Sequence, residues 1–310
     1  MEYRQLGKTD LNVSILGYGA SPLGNEFGEI EVAEGQRAVD FAIDHGVNYF
    51  DVAPYYGRTL AEERLGAALE GKRDKVVLAT KCCRYDFDGF DFSAKRVEES
   101  IDESLRRLRT DYVDLYQIHD IEFGDRRQVI EEAVPAARKV QQSGKARYVG
   151  ITGLPLKMLR DVAAEVPVDA ILSYARYNLM ITDLDDILRP FAVENGIGLI
   201  NASPLHLRLL TEKGPPEWHS ASDDIKAAGA KVVGLCKSRG VSVSDVAMRF
   251  CYAYEHAAST LVGMSKQRHV EQNLRVLGTE NDAELLAEIA ELVAPVKDRI
   301  WGTGRVENQN

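Results

Sequence analysis

The feature that most limits what this chain can become is a repeated alternation of short apolar segments, each of strand length, with longer stretches of helical periodicity. That alternation is the sequence sign of βα units whose strands join one parallel sheet. Eight candidate strands can be marked, at 14–19, 48–52, 76–81, 112–118, 147–151, 169–173, 197–202 and 259–263. Helical patterns fall between them at 33–45, 93–108, 126–143, 156–164 and 184–195. With one helix expected after each strand, the fold class is α/β: a (β/α)8 TIM barrel with a long loop after strand seven and an extra C-terminal helix.

Local chemistry supports these elements. Ser93 is placed to cap a helix in which Val97, Ile101, Leu105 and Leu108 recur on one face, the face that should pack on the barrel wall. Gly46, Gly144, Gly196 and Gly240 each follow a helical pattern, where a left-handed C-terminal cap favours glycine. The segment 207–226, with Gly214-Pro215-Pro216-Glu217-Trp218-His219, breaks the rhythm and reads as the long loop. Nothing in the composition divides the chain, so residues 1–310 are expected to form a single domain.

Charge and cysteine content exclude several classes of function. A formal net charge of -10 argues against nucleic acid and anionic membranes as partners. No apolar run approaches the roughly 20 residues of a membrane-spanning helix, and the first residues lack the apolar core of an export signal, so a cytoplasmic location is expected. Cys82, Cys83, Cys236 and Cys251 do not form the paired spacings of a zinc site and read as reduced thiols, with Cys82 a small buried hydrophobe. No metal is expected. Oligomeric state cannot be read from the pattern.

In a βα barrel the active site lies at the C-terminal ends of the strands, which makes polar residues there informative. Asp51 ends strand two, Tyr56 lies in the following loop, Lys81 ends strand three and His119 ends strand four. Singly, each has a plain structural reading: an ion pair, a packed aromatic, a satisfied histidine. Together, at three successive strand ends, they read as a catalytic set.

The sequence Phe50-Asp51-Val52-Ala53-Pro54-Tyr55-Tyr56-Gly57 resembles the D-x-A-x-x-Y-G signature of aldo-keto reductases. Leu78-Ala79-Thr80-Lys81 and Asp114-Leu115-Tyr116-Gln117-Ile118-His119 are similar to that family's lysine and histidine segments, in the same order. The resemblance runs from Tyr3-Arg4-Gln5-Leu6-Gly7 to Gln272-Asn273. It implies a nicotinamide-dependent oxidoreductase in which Tyr56 exchanges a proton with the substrate oxygen. Lys81 would favour the phenolate, Asp51 would hold the lysine, and His119 would orient the substrate.

No GxGxxG follows a first strand, so the cofactor is not expected in a Rossmann site. The resemblance implies contacts from Gly19, Ala20 and Ser21, from Asp51, and from Thr152, Gly153 and Tyr174. It implies others from Ser203, Pro204 and Leu205, from Gly263, Ser265 and Arg268, and from the amides Gln272 and Asn273. Many family members have Ser-Asn in place of Thr152-Gly153 and a glutamine near Tyr174. NADP-preferring members often carry a lysine where Gly263 stands, which points to NAD here; Lys266 and Arg268 nearby keep NADP open.

Gly150-Ile151-Thr152-Gly153-Leu154-Pro155-Leu156, Ile171-Leu172-Ser173-Tyr174 and the Gly214 to His219 segment resemble the branch of the family that oxidises aldoses at C1, L-galactose dehydrogenases among them. Ala175-Arg176-Tyr177-Asn178 departs from that branch, leaving L-fucose or another aldose open. The resemblance implies oxidation of a small-molecule sugar to its lactone, with Tyr56 and His119 at the reacting oxygen. Tyr18, Asp120, Trp218, His219 and Trp301 are candidates for the sugar rim by loop position, and for Trp218 packing of its own loop is an equal reading. Two alternatives stand beside this one: an NADPH-dependent aldehyde or ketone reductase, and a nucleotide-binding regulatory module.

Overall fold

In the computed structural model, which describes residues 1–309, eight parallel strands close into a barrel. They are β3 (Leu16–Gly19), β4 (Tyr49–Asp51), β5 (Val77–Cys82), β6 (Val113–Ile118), β7 (Ala146–Gly153), β8 (Ala170–Tyr174), β9 (Gly198–Ala202) and β10 (Ser259–Gly263). Each pairs with the next, and β10 returns to β3. All eight expected strands are present. β3 starts two residues later than expected, and β7 runs two residues further, so that Thr152 and Gly153 end the strand instead of following it.

Successive side chains on a strand point to opposite faces, which separates the apolar residues into two layers. Tyr49, Ala79, Leu115, Ala170, Leu172, Ile200 and Leu261 fill the barrel interior. Leu16, Tyr18, Phe50, Leu78, Tyr116, Ile151, Ile171 and Val262 face outward into the layer shared with the helices. A hairpin that the sequence pattern did not reveal, β1 (Tyr3–Gln5) paired with β2 (Asn12–Ser14), closes the N-terminal end. Its Leu6, Leu11 and Val13 join the interior cluster and plug the barrel floor. Three-residue strands are too short to show a period, so this element was invisible to pattern reading.

The helices follow the strands with some departures. After β3, β4 and β5 come α1 (Val32–Asp44), α2 (Leu60–Ala68) and α3 (Ala94–Leu108). In α3 the Ser93 hydroxyl accepts from the Arg96 N–H, and Val97, Ile101, Leu105 and Leu108 are buried, as the pattern required. The expected helix at 126–143 is α4 (Arg126–Gln128) and α5 (Val134–Gln142) joined by a π-turn over Val129–Ala133. Pro135 accounts for the turn, because a proline inside a helix has no N–H to give and crowds the carbonyl one turn back.

After β7 comes α6 (Leu156–Glu165), and the single helix expected at 184–195 is two, α7 (Asp183–Ile187) and α8 (Arg189–Asn195). Pro190 sits in the first turn of α8, where a missing N–H costs nothing. The long loop after β9 ends earlier than expected, at α9 (Asp223–Ser238). A further helix, α10 (Val243–Tyr252), follows α9 before β10, and after β10 and its α11 (Gln267–Arg275) comes α12 (Ala283–Val293), the extra C-terminal helix that was expected. Helices α9 and α12 share a second apolar cluster of Ile225, Val232, Leu285, Ile289 and Val293. Gly46, Gly144, Gly196 and Gly240 all take left-handed backbone conformations. The four cysteines are free and buried. Among the described residues no helix is long and apolar enough to cross a membrane.

Arg4 locks the floor hairpin to the barrel. Its guanidinium donates to the carbonyls of Tyr254 (2.7 Å), Ala257 (3.0 Å) and Tyr252 (2.9 Å), which end α10 and lead into β10. Arg4→Ala should therefore cost about 2 kcal/mol, the range of hydrogen bonds to a charged donor. Thermal melting should show this as a fall of a few degrees, with Arg4→Lys restoring only part of it because one ammonium cannot span three carbonyls.

Candidate active site

Two residues beyond the interior apolar layer, the same inward-facing positions become polar. Tyr49 is followed by Asp51, Ala79 by Lys81 and Leu115 by Gln117. Lys81 donates from Nζ to Asp51 Oδ1, to the Val52 carbonyl (2.9 Å) and to the Tyr56 hydroxyl (3.3 Å). Gln117 donates from Nε2 to the other Asp51 oxygen at 2.9 Å. Tyr56 hangs from the turn after β4, which rests backbone to backbone on the short turn Ser21–Gly24. Gly57 there is left-handed, and a Cβ on it would fall 2.2 Å from the Gly24 carbonyl oxygen, so only glycine lets the turn seat. His119 donates its backbone N–H to the Cys82 carbonyl at 3.0 Å, and its ring meets that of Tyr56 edge-on at 5.7 Å. All four expected catalytic residues thus meet at one mouth.

Burial dominates the electrostatics. It pushes the Tyr56 phenol up to about 12, against the pull of the Lys81 ammonium, which lowers it. Burial would also strip the Lys81 proton, but Asp51 and Tyr56 outweigh it and hold the lysine above its ordinary range. His119 is forced down to about 3, chiefly by burial, and is therefore a neutral imidazole with one N–H to give. Its Nε2 lies 3.8 Å from Asp120 Oδ2, which favours the proton on that nitrogen.

Three further side chains belong to this mouth and were not singled out in the sequence. Gln117 could have been found from its register, two residues before His119 on the same strand face. Arg84, just past β5, pairs with Asp120 and lies 3.9 Å over the Tyr55 ring. Glu122 is fully buried: its Oε1 accepts from the Leu154 N–H (3.1 Å) and the Tyr174 hydroxyl (3.2 Å). Its Oε2 has no partner among the described residues and fills the space beside Gly153, where a Cβ would come within 2.6 Å of it. Burial first, and then the Asp120 charge, raise Glu122 to about 8, so it is largely protonated at neutral pH. No local sequence signal marks a glutamate as buried.

Most of the expected cofactor residues lie at strand ends or in the turns that follow them. Gly19 ends β3 with Val262 close behind it, and Ala20 donates its N–H to the Asp51 carbonyl at 2.9 Å. Ser21 opens the turn beside Gly263, where an added Cβ would meet Pro22 at 2.9 Å. Thr152 accepts the Asp120 N–H at 2.9 Å. Ser203, His206, Leu207 and Arg208 are all left-handed in the loop that also holds Pro204 and Leu205. Non-glycine residues held in this conformation recur at ligand loops. Ser265 donates its N–H to His269 at the start of α11, Arg268 is exposed, and Lys266 pairs with Glu34 at 3.0 Å. Gln272 and Asn273 give their amide N–H groups to Asp245 (3.2 Å) and the His269 carbonyl (2.8 Å). Gly19 and Gly263 put no side chain on this rim, which leaves it open to an extended dinucleotide.

The expected sugar rim divides. Asp120 joins Tyr56 and His119 at the mouth. Tyr18 does not: it faces the helix layer, fully buried and stacked on Phe50 at 5.0 Å, because its neighbours Gly17 and Gly19 take the inward positions of β3. His219 is also withdrawn as a substrate ligand. It is buried and neutral, accepting the Ala221 N–H on Nδ1 (3.1 Å) and donating from Nε2 to the His206 carbonyl (3.1 Å), so both nitrogens are used within the protein. Trp301 packs edge-on against His206 (5.3 Å) and His219 (4.9 Å), and Trp218 is largely exposed on the same loop.

Comparisons with known proteins agree with this geometry. Residues 15–294 match the Aldo/keto reductase family. The chain is similar to an L-galactose dehydrogenase from Arabidopsis thaliana, 46% identical with 99% of each chain covered. It is also similar to a D-threo-aldose 1-dehydrogenase from a Pseudomonas species, 30% identical over 91% of this chain and 94% of that one. Among solved structures, an aldo-keto reductase from Bacillus halodurans in its holo form superposes with a TM-score of 0.80 at 28% identity, covering 98% of this chain and 99% of that one.

The Glu122 environment has a measurable consequence. Its folded-state pKa of about 8 lies above the ordinary 4.5, so between those values the folded protein holds a proton that the unfolded chain releases. Stability is then lost as pH rises through this window. Glu122→Gln keeps the shape without the charge, and should melt higher than the wild type at pH 8 and above. Melting curves across pH should show that advantage shrinking towards pH 5; a constant difference would count against the buried acid.

Proposed function

The chain belongs to the aldo/keto reductase family, and on that premise we propose that it oxidises a cyclic aldose at C1, L-galactose foremost, with NAD as hydride acceptor and the lactone as product. The observation that carries this reading is the Lys81 ammonium bonded at once to Asp51 and to the Tyr56 hydroxyl, with a neutral His119 beside them. The sugar comes from the likeness to the Arabidopsis and Pseudomonas enzymes.

The anomeric hydroxyl would sit between Tyr56 and His119. Because the Tyr56 oxygen accepts from Lys81, it can take up the hydroxyl proton while the ammonium steadies the phenolate that acts as base. His119 would donate from Nε2 to the same oxygen and fix its position. Asp51 compensates the lysine charge in both protonation states of the tyrosine. Bound along the rim, NAD would accept the hydride from C1 as the C1–O bond becomes a carbonyl.

Two features support NAD over NADP. Gly263 supplies no cation, and Lys266, the nearest substitute, has its charge compensated by Glu34. A 2′-phosphate would have to compete for it. Four free, buried thiols support a cytosolic setting, and the reading requires no macromolecular partner.

Initial rates of NAD and NADP reduction with L-galactose, L-fucose and other aldoses test the proposal. NAD reduction should depend on the sugar, and Tyr56→Phe should lower kcat by on the order of a hundredfold or more. Absence of turnover by the wild type with every sugar would overturn it in favour of NADPH-dependent carbonyl reduction. Lys81→Met separates base strength from binding. Without the ammonium the Tyr56 pKa rises, so the ascending limb of kcat against pH should move to higher pH.

A further inference from the structure

We propose that the Arg84–Asp120 ion pair is a recognition site for the sugar hydroxyl next to the reacting one, that on C2. The proposal rests on the aldose reading above and adds a specificity-determining pair to it. Position is the first argument. Asp120 directly follows His119, and its Oδ2 lies 3.8 Å from the His119 nitrogen that faces the reacting oxygen. Oxygens on adjacent sugar carbons stand about one hydrogen-bond length apart when gauche. A C1 hydroxyl held by Tyr56 and His119 therefore brings its C2 neighbour to the carboxylate.

The second argument is that the pair is poorly explained as scaffolding. Buried ion pairs are weak stabilisers, because removing two charges from water offsets their attraction. Here the side chains are 14% and 5% exposed, and Arg84 Nε is buried with no partner among the described residues. Asp120 also adopts a left-handed backbone, φ 48, although it is not glycine. An unsatisfied donor and a strained residue side by side are features of ligand sites.

The third is complementarity. A hydroxyl both donates and accepts, and a guanidinium beside a carboxylate offers it both partners. Tyr55, half-buried against Arg84, presents an aromatic wall of the kind that takes the C–H face of a sugar. The arrangement is held before any ligand arrives: the Thr152 hydroxyl accepts the Asp120 backbone N–H (2.9 Å) and donates to its carboxylate (3.4 Å), and Arg84 lies among the rings of Tyr55 (3.9 Å), Phe90 (5.2 Å) and Phe123 (5.3 Å).

The test compares kcat/KM for L-galactose and 2-deoxy-L-galactose in the wild type, Asp120→Asn, Arg84→Met and Arg84→Lys. NAD affinity is followed by protein fluorescence, and folding by thermal melting. The wild type should prefer L-galactose by tens- to about a hundredfold, as expected for hydrogen bonds to charged groups. Asp120→Asn and Arg84→Met should shrink that preference to within about threefold, Arg84→Lys should shrink it less, and NAD affinity should move by less than about twofold. A wild type that oxidises both sugars equally well overturns the pair's role while leaving the aldose reading intact, and needs no variant to fold. Variants that lose both sugars in equal proportion overturn it too, by showing a structural pair. If the wild type oxidises neither sugar, the pair's role in recognising L-galactose is overturned, and the aldose reading falls with it only where every other aldose fails as well.

Discussion

The structure turns on a lysine ammonium buried inside a barrel. Lys81 is 1% exposed, and a bare charge there would cost more than the fold could offset. An ammonium has three N–H groups, and three acceptors meet it: Asp51, the Val52 carbonyl and the Tyr56 hydroxyl. Gln117 then satisfies the second Asp51 oxygen. The requirement to pair the charge therefore fixes the side chains at three strand ends. It also leaves the Tyr56 proton directed away from the lysine, where a substrate can exchange it. Scaffolding and chemistry are met by the same contacts.

A second balance operates just past β6. His119 is neutral, Asp120 is ionised against Arg84, and Glu122 is mostly protonated, so one anion and one cation remain where four titratable groups crowd together. Ionising all of them would place like charges side by side in a medium that screens poorly. The backbone here is held from outside the barrel as well. Arg305 donates its N–H, and Asn308 its side-chain amide, to the Glu122 carbonyl, each at 2.9 Å; Asn308 also reaches the Gly124 carbonyl at 2.9 Å. The C-terminal segment thereby clamps the turn that begins at His119.

Particular residues show how far the sequence could be read. The eight strands were legible because buried parallel strands are continuous apolar runs. That the four expected catalytic residues would cluster was legible because their motif spacings match strand ends. Side-chain direction was not: Tyr18 looked like a rim residue by position, yet the pleat sends it outward and gives the inside to Gly17 and Gly19. His219 looked available, but the folded loop commits both its nitrogens to the backbone. Glu122 and Arg84 had no marker, since burial of a charged residue depends on what other loops bring to it. Pro135 and Pro190 were visible, but whether each would make a π-turn or a break depended on the helix around it.

Chain order explains why the motif reading could succeed at all. In this barrel each strand pairs with the next in sequence, so order along the chain is order around the mouth. Asp51, Lys81 and His119, from β4, β5 and the end of β6, must then occupy adjacent sectors, whatever the loops do. The left-handed loop after β9 and the start of α11 after β10 must occupy the sectors beyond β7 and β8. Between these two groups lie Thr152 near the end of β7 and Tyr174 at the end of β8, which hydrogen-bond to Asp120 and Glu122 respectively. Both strands are thereby tied to the turn after β6, the same turn that the C-terminal segment clamps.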